Sequence, residues 1–333
     1  MINDKHALLA ALAISPAETD ALNDAPPLDR PWYIGLLLGA SGWVAGILLL
    51  IVVGVLFQPK TPPALFFSGL VLGASAWGLY KADRDGAFTG QLALALSIAG
   101  QVLLVGAFAK NFNSLGQPAF AAFVLQVILV VIMPNALHRT LSAFFAGAAL
   151  AAAVRYGLFA EAFPGFARSA VAKVPPSLSY ALAGWAITWL PVAAGIYWCV
   201  RHEAMWMARG WQSIARPALA GLIVGLAFAT LISHPLEIFD WSGRAPVGQG
   251  FLALWPLLSA IAATGAIAAG FAMKNRALMG IAIFGALLHI SHFYYTLGTS
   301  LLMKSLIMVV MGAAMLGAAV LLKRGDAMTG EAS

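Results

Sequence analysis

The sequence predicts an all-α polytopic transmembrane helical bundle of about ten spans, with a short N-terminal cytoplasmic helical hairpin. Three observations carry that prediction. Of 333 residues, 61% are hydrophobic and only 10% are charged, against about 25% charged in soluble domains. So little charge cannot cover a globule, and lipid must be the main solvent. Apolar runs recur along the chain at lengths near the about 20 residues that a helix needs to cross the hydrocarbon core. Finally, Lys and Arg alternate between rich and poor connections, as topology requires.

The elements follow in order. Residues 1–30 hold Asp4, Glu18, Asp20, Asp24 and Asp29 against Lys5 and Arg30, a pattern not expected of a secretory signal. Leu8, Leu9 and Leu12 make one apolar stripe, and Ser15-Pro16-Ala17-Glu18 reads as a capping box with proline at the first helical position. This segment is expected as a cytoplasmic helical hairpin ended by Ala25-Pro26-Pro27. A membrane domain is expected over 31–322, and a cytoplasmic tail over 323–333. The ten candidate spans are 34–57, 64–80, 88–109, 119–133, 140–154, 178–200, 218–233, 251–273, 277–297 and 301–322. The fifth is alanine-rich and weakly apolar.

With the N-terminus inside, twelve of the nineteen Lys and Arg residues fall on inner segments and seven on outer ones. The positive-inside rule therefore puts both termini in the cytoplasm. Trp206 and Trp211, in the basic run 201–217, are expected at the headgroup layer. Pro134, Pro217 and Pro235 are expected to punctuate span ends, while Pro191 and Pro256 should kink the sixth and eighth spans. Small residues four apart, such as Gly42/Gly46, Gly69/Gly73 and Gly221/Gly225, allow the close backbone approach on which helix packing in lipid depends.

Several function classes are excluded. The basic residues form no dense patch, so nucleic acid is not a partner. A lone cysteine, Cys199, rules out an intramolecular disulfide and a multi-cysteine metal site. No P-loop, GxGxxG or GxSxG motif occurs, and no Asp or Glu lies well inside a span, which argues against transport built on a membrane carboxylate. Gln91, Gln101 and Gln126 lie within spans and are expected to join helices, because a buried amide must find partners.

The polar stretch HISHFYYTLGTSLLMKS at 289–305 supplies the candidate site. His289 and His292 are three apart and share a helical face that Tyr295 extends. His289 lies roughly 12 Å from the span end at 1.5 Å per residue. A hairpin would bring Lys304 to the level of His292, making His289, His292, Tyr295 and Lys304 the lining of a ligand-binding or polar pocket. With His234, Glu237 and Asp240 on the same side, the two histidines would also offer a weak metal site of imidazole and carboxylate type. Both histidines as hydrogen-bonded interior residues, with Lys304 snorkelling to the interface, is the plain alternative.

PWYIGLLLGASGWVAGILLL at 31–50, AFTGQLALALSIAGQ at 87–101 and FYYTLGTSLLMKSLIMVVMG at 293–312 resemble the bacterial family of the domain of unknown function 4401. The resemblance runs over about 31–322. It implies an inner-membrane protein with a second membrane family encoded nearby as a candidate partner. It brings no catalytic residues and no cofactor. The expectation is a non-enzymatic small-ligand carrier or membrane-complex scaffold embedded in the lipid bilayer. The alternative is a metal- or haem-binding oxidoreductase using His289 and His292.

Overall fold

The computed structural model describes residues 32–158, 178–233, 255–296 and 300–313, except positions 59, 84, 85, 113, 304, 307, 308 and 311. The expected N-terminal hairpin and C-terminal tail lie outside the described residues. Among the described residues every regular element is helical. The helices are α1 (Trp32–Phe57), α2 (Pro62–Ala82), α3 (Ala87–Ala109), α4 (Gly116–Ile132) and α5 (Ala136–Ala153), which runs on into a π-helical turn at Val154–Leu158. After them come α6 (Leu178–Arg201), the short α7 (Glu203–Ala208), α8 (Gln212–Ala227), α9 (Ala229–Ser233), α10 (Trp255–Ala272) and α11 (Arg276–Thr296). Five stretches are long and apolar enough to cross a membrane: Tyr33–Val52, Pro62–Ala82, Ala87–Ala109, Ala136–Leu158 and Leu182–Arg201. Gly116–Ile132, Gln212–Ala227, Leu258–Ala272 and Arg276–Ser291 are apolar but shorter.

Local chemistry sets the helix ends. Thr61 caps α2, its side chain accepting from the Ala64 N–H, and Pro62 and Pro63 occupy positions where a missing donor costs nothing. Between α2 and α3 the Asp83 carboxylate accepts from the Gly86 N–H at 2.8 Å and from the Thr89 hydroxyl at 2.6 Å. Pro134 separates α4 from α5, and Asn135 caps α5 through the His138 N–H at 3.0 Å. Asn275 caps α11, accepting from the N–H groups of Ala277 and Leu278.

Neighbouring helices pack in pairs. In the first half α1 and α2 both pack on α3, and α4 pairs with α5. In the second half α8 packs along α5 and receives the α10–α11 pair. Small residues make the contacts. A Cβ added to Gly69 would stand 2.8 Å from the Gly100 carbonyl oxygen, and one added to Gly221 would overlap the Thr140 carbonyl oxygen. Trp189 of α6 is fully buried, with Gly147 of α5 and Gly225 of α8 against its ring.

The turns sort to two ends. At one end Arg139 reaches the Ser213 carbonyl, and α7 meets the α10–α11 turn. At the other the Lys110 ammonium donates to the Lys60 carbonyl, and Gly116 lies against Gly157. The first end carries Lys81, Arg139, Arg201, Arg209, Arg216, Lys274 and Arg276; the second carries Lys60, Lys110 and Arg155. That grouping matches the alternation of Lys and Arg in the sequence.

Several boundaries differ from expectation. Helix α5 begins at Ala136, four residues before the expected span, because Asn135 caps it there. The seventh span is broken at Phe228, between α8 and α9. Pro217 lies inside α8 rather than at its end, Pro256 is the second residue of the described α10, and Pro235 lies outside the described residues. Pro191 does fall inside α6. Trp211 is exposed as an interfacial ring should be, but Trp206 is buried, its indole donating to the Cys199 carbonyl at 2.8 Å.

Candidate functional site

Five polar side chains from three helices, all buried except the half-buried Gln101, form one chain in the first half of the bundle. Gln126 of α4 donates through Nε2 to Gln101 Oε1 of α3 at 2.7 Å. One turn away on α3, Gln101 Nε2 donates to Ser97 Oγ at 3.1 Å. Ser97 Oγ lies 2.7 Å from His138 Nε2 of α5, and His138 Nδ1 lies 3.2 Å from Ser142 Oγ. The Tyr80 ring of α2 stands edge-on to the imidazole at 5.8 Å. His138 is 1% exposed and Gln126 is 7% exposed.

Two assignments of protons satisfy every link. In one, the Ser97 hydroxyl, already accepting from Gln101, donates to Nε2 of His138, and Nδ1–H donates to Ser142; in the other, Nε2–H donates to Ser97 and the Ser142 hydroxyl donates to Nδ1. In the first, all donors point the same way, from α4 through α3 to α5, an alignment in which successive hydrogen bonds polarise one another. The chain begins at Gln126, whose Oε1 is buried and has no hydrogen-bond partner among the described residues. A buried acceptor without a donor costs about 1–3 kcal/mol. A guest carrying an O–H or N–H would extend the chain by one link.

Gln91 has a different role. Its Oε1 accepts from the Trp43 indole of α1 at 2.9 Å. Gln91, Gln101 and Gln126 therefore join helices, as the sequence suggests.

His289 is the one sequence-derived candidate whose side chain is described. It is 2% exposed, and its Nε2 lies 3.0 Å from the Ala227 carbonyl oxygen. A carbonyl only accepts, so Nε2 carries the proton there. Ala227 ends α8 at the break before Phe228. Gly285, one turn before His289 on α11, lets the helices close at this point, since a Cβ there would stand 2.9 Å from the same oxygen. The imidazole thus reaches a carbonyl at an interrupted helix, where the regular ladder stops.

His292 and Tyr295 follow on the α11 backbone, with their side chains outside the described residues. Lys304, His234, Glu237 and Asp240 also lie outside them. Among the described residues no three His, Cys, Asp or Glu side chains stand close enough to hold a metal ion.

His138 falls outside the candidate spans expected from hydropathy, because PNALHR at 134–139 lies between the fourth and the fifth. The signal was present: proline, then asparagine three residues before a histidine, is a helix start whose first turn presents that histidine.

No curated protein and no solved structure matches the chain. A family model does match, over residues 31–325, which takes in both halves of the bundle and the helices carrying His138 and His289. The chain therefore belongs to the family described as Domain of unknown function (DUF4401).

Proposed function

We propose that this chain is a non-enzymatic binding protein of the bacterial inner membrane, a ten-span bundle with both termini cytoplasmic. It holds a small polar molecule at the Gln126 end of the buried chain. The observation that carries this reading is the unpartnered Gln126 oxygen at the head of four linked hydrogen bonds. Lipid supplies no water to such an atom, so a guest with a donor group restores the lost bond. No charged side chain belongs to the chain, which suits a neutral guest. The basic end of the bundle supports the cytoplasmic side through the positive-inside rule.

The rival reading as a metal- or haem-bearing oxidoreductase would put the metal on Nδ1 of His289, because Nε2 faces the Ala227 carbonyl, a contact of the kind that orients metal-ligating imidazoles. Both nitrogens of His138 face serine hydroxyls. Metal analysis and a visible spectrum of the purified chain separate the two readings.

The test is extraction of small molecules from the purified full chain and from Gln126→Leu, with identification by mass spectrometry. A polar compound present at about one per chain in the wild type and lost from Gln126→Leu is the expected result. A wild-type protein with no such compound refutes the reading. A membrane protein that co-purifies and is released by deletion of residues 1–30 would instead make the bundle a scaffold.

A further inference from the structure

Two turns at the basic end share one geometry and carry different residues at the left-handed position. After α7, Gly210 takes the left-handed position at φ 73°, its N–H meeting the Met207 carbonyl at 2.9 Å, while the Trp211 N–H meets the Trp206 carbonyl at 3.1 Å. After α10, Lys274 takes the same position at φ 52°, its N–H meeting the Phe271 carbonyl at 2.9 Å, while the Asn275 N–H meets the Gly270 carbonyl at 3.0 Å. This helix-ending turn favours glycine, which has no Cβ to clash. The second turn carries a lysine instead, and the lysine lines a cavity.

That cavity, of about 500 Å³, lies between α7, the start of α8 and the α10–α11 turn. Arg216 and Lys274 supply its charge, and Ala204, Met207 and Met273 give it apolar wall. Glu203 also lines it and fixes Arg216, with its Oε1 taking Nη2 at 2.8 Å and Nε at 3.2 Å. Two cations and one carboxylate leave a single net positive charge. The surroundings have the character of a headgroup layer, with Arg209 over the Trp211 ring and Arg201 over the Tyr197 ring, each at 5.6 Å.

We infer that this cavity binds the phosphate of an anionic phospholipid headgroup. Arg216 and Lys274 meet the phosphate oxygens, and Met207 and Met273 lie against the glycerol and the first methylenes. A phosphodiester carries one negative charge and neutralises the site. Free phosphate carries more than one negative charge at neutral pH, which overshoots with Glu203 beside it. A headgroup bearing a quaternary amine would bring a third cation to the two already there.

The experiment is native mass spectrometry of the detergent-purified full chain with phosphatidylglycerol, with phosphatidylcholine, and with phosphatidylglycerol plus excess inorganic phosphate. Lys274→Gly removes the cation while suiting the left-handed backbone, so its unfolding temperature should equal or exceed that of the wild type. Phosphatidylglycerol is expected to stay bound in preference to phosphatidylcholine, and Lys274→Gly to weaken it about fivefold, the scale of one surface cation. Lys60→Gln, at the opposite end, should leave it unchanged, and inorganic phosphate should not displace it. Equal retention of the two lipids, or undiminished binding in Lys274→Gly, overturns the inference. Displacement by inorganic phosphate overturns the lipid as the source.

Discussion

His138 and His289 are both buried imidazoles on helices of one bundle, and they hold different things. His138 sits inside a chain of side chains that runs through three helices and ends on an unpartnered oxygen. His289 reaches across to one backbone carbonyl where α8 breaks. The first arrangement links groups that can rotate, exchange donor and acceptor roles and take on another member. The second closes a gap in the backbone ladder, and Gly285 shapes the helix around it. In lipid both satisfy polar atoms that water cannot reach, but only the first has an open end. Polarity in a span is therefore a poor guide to function until its partner is known.

The contrast breaks most visibly at His138. His138→Leu strands both Ser97 and Ser142, at about 1–3 kcal/mol for each buried group left unpaired. Unfolding in detergent should show a total loss of about 3 kcal/mol, the largest of this set. A loss under about 1 kcal/mol would mean that the hydroxyls find other partners and that the chain is not a unit.

His289→Leu strands the Ala227 carbonyl and should cost about 2 kcal/mol by the same measurement. His289→Gln sharpens the point, because a side-chain amide can supply the donor that the carbonyl needs. It should recover most of the loss and stay within about 1 kcal/mol of the wild type. If the glutamine is as damaging as the leucine, His289 acts through something other than that donor. The smallest stability effect belongs to Gln126→Leu. It removes one orphaned acceptor and creates another at Gln101 Oε1, so stability should change by less than about 1 kcal/mol. A large loss there would show Gln126 to be a structural clasp like His289.

Much of the helical layout was legible from hydropathy alone. The runs at 34–57, 64–80 and 88–109 correspond to α1, α2 and α3 within a few residues, because long apolar segments in lipid have few alternatives to a helix. Some of the paired glycines lie at close contacts, Gly69 against Gly100 and Gly221 against Thr140, whereas a Cβ at Gly35 or Gly73 would meet nothing within 4 Å. The break at Phe228 was not legible, since AFATLIS shows no proline or glycine to mark it. The buried chain was hidden for a different reason. Gln101 and Gln126 stand out as amides in apolar runs, but nothing in the runs says that they meet each other or His138 on a third helix. Their meeting is a tertiary fact set by which faces α3, α4 and α5 present to one another. His289 was visible as a polar residue in an apolar run, but its partner is a backbone carbonyl, which leaves no trace in the sequence.

The central claim is that the open end at Gln126 takes a donor-bearing guest, and a thermal shift tests it most directly. The full chain is washed free of small molecules in detergent, and the polar small-molecule fraction of its native cells is added back. Ligand at about 100 times its dissociation constant adds about 2.7 kcal/mol to the folded state, a shift in unfolding temperature that is readily measured. The wild type should be stabilised by the fraction while Gln126→Leu, folded to the same stability without it, should not respond. Equal responses from the two proteins, or none from the wild type, would contradict the account.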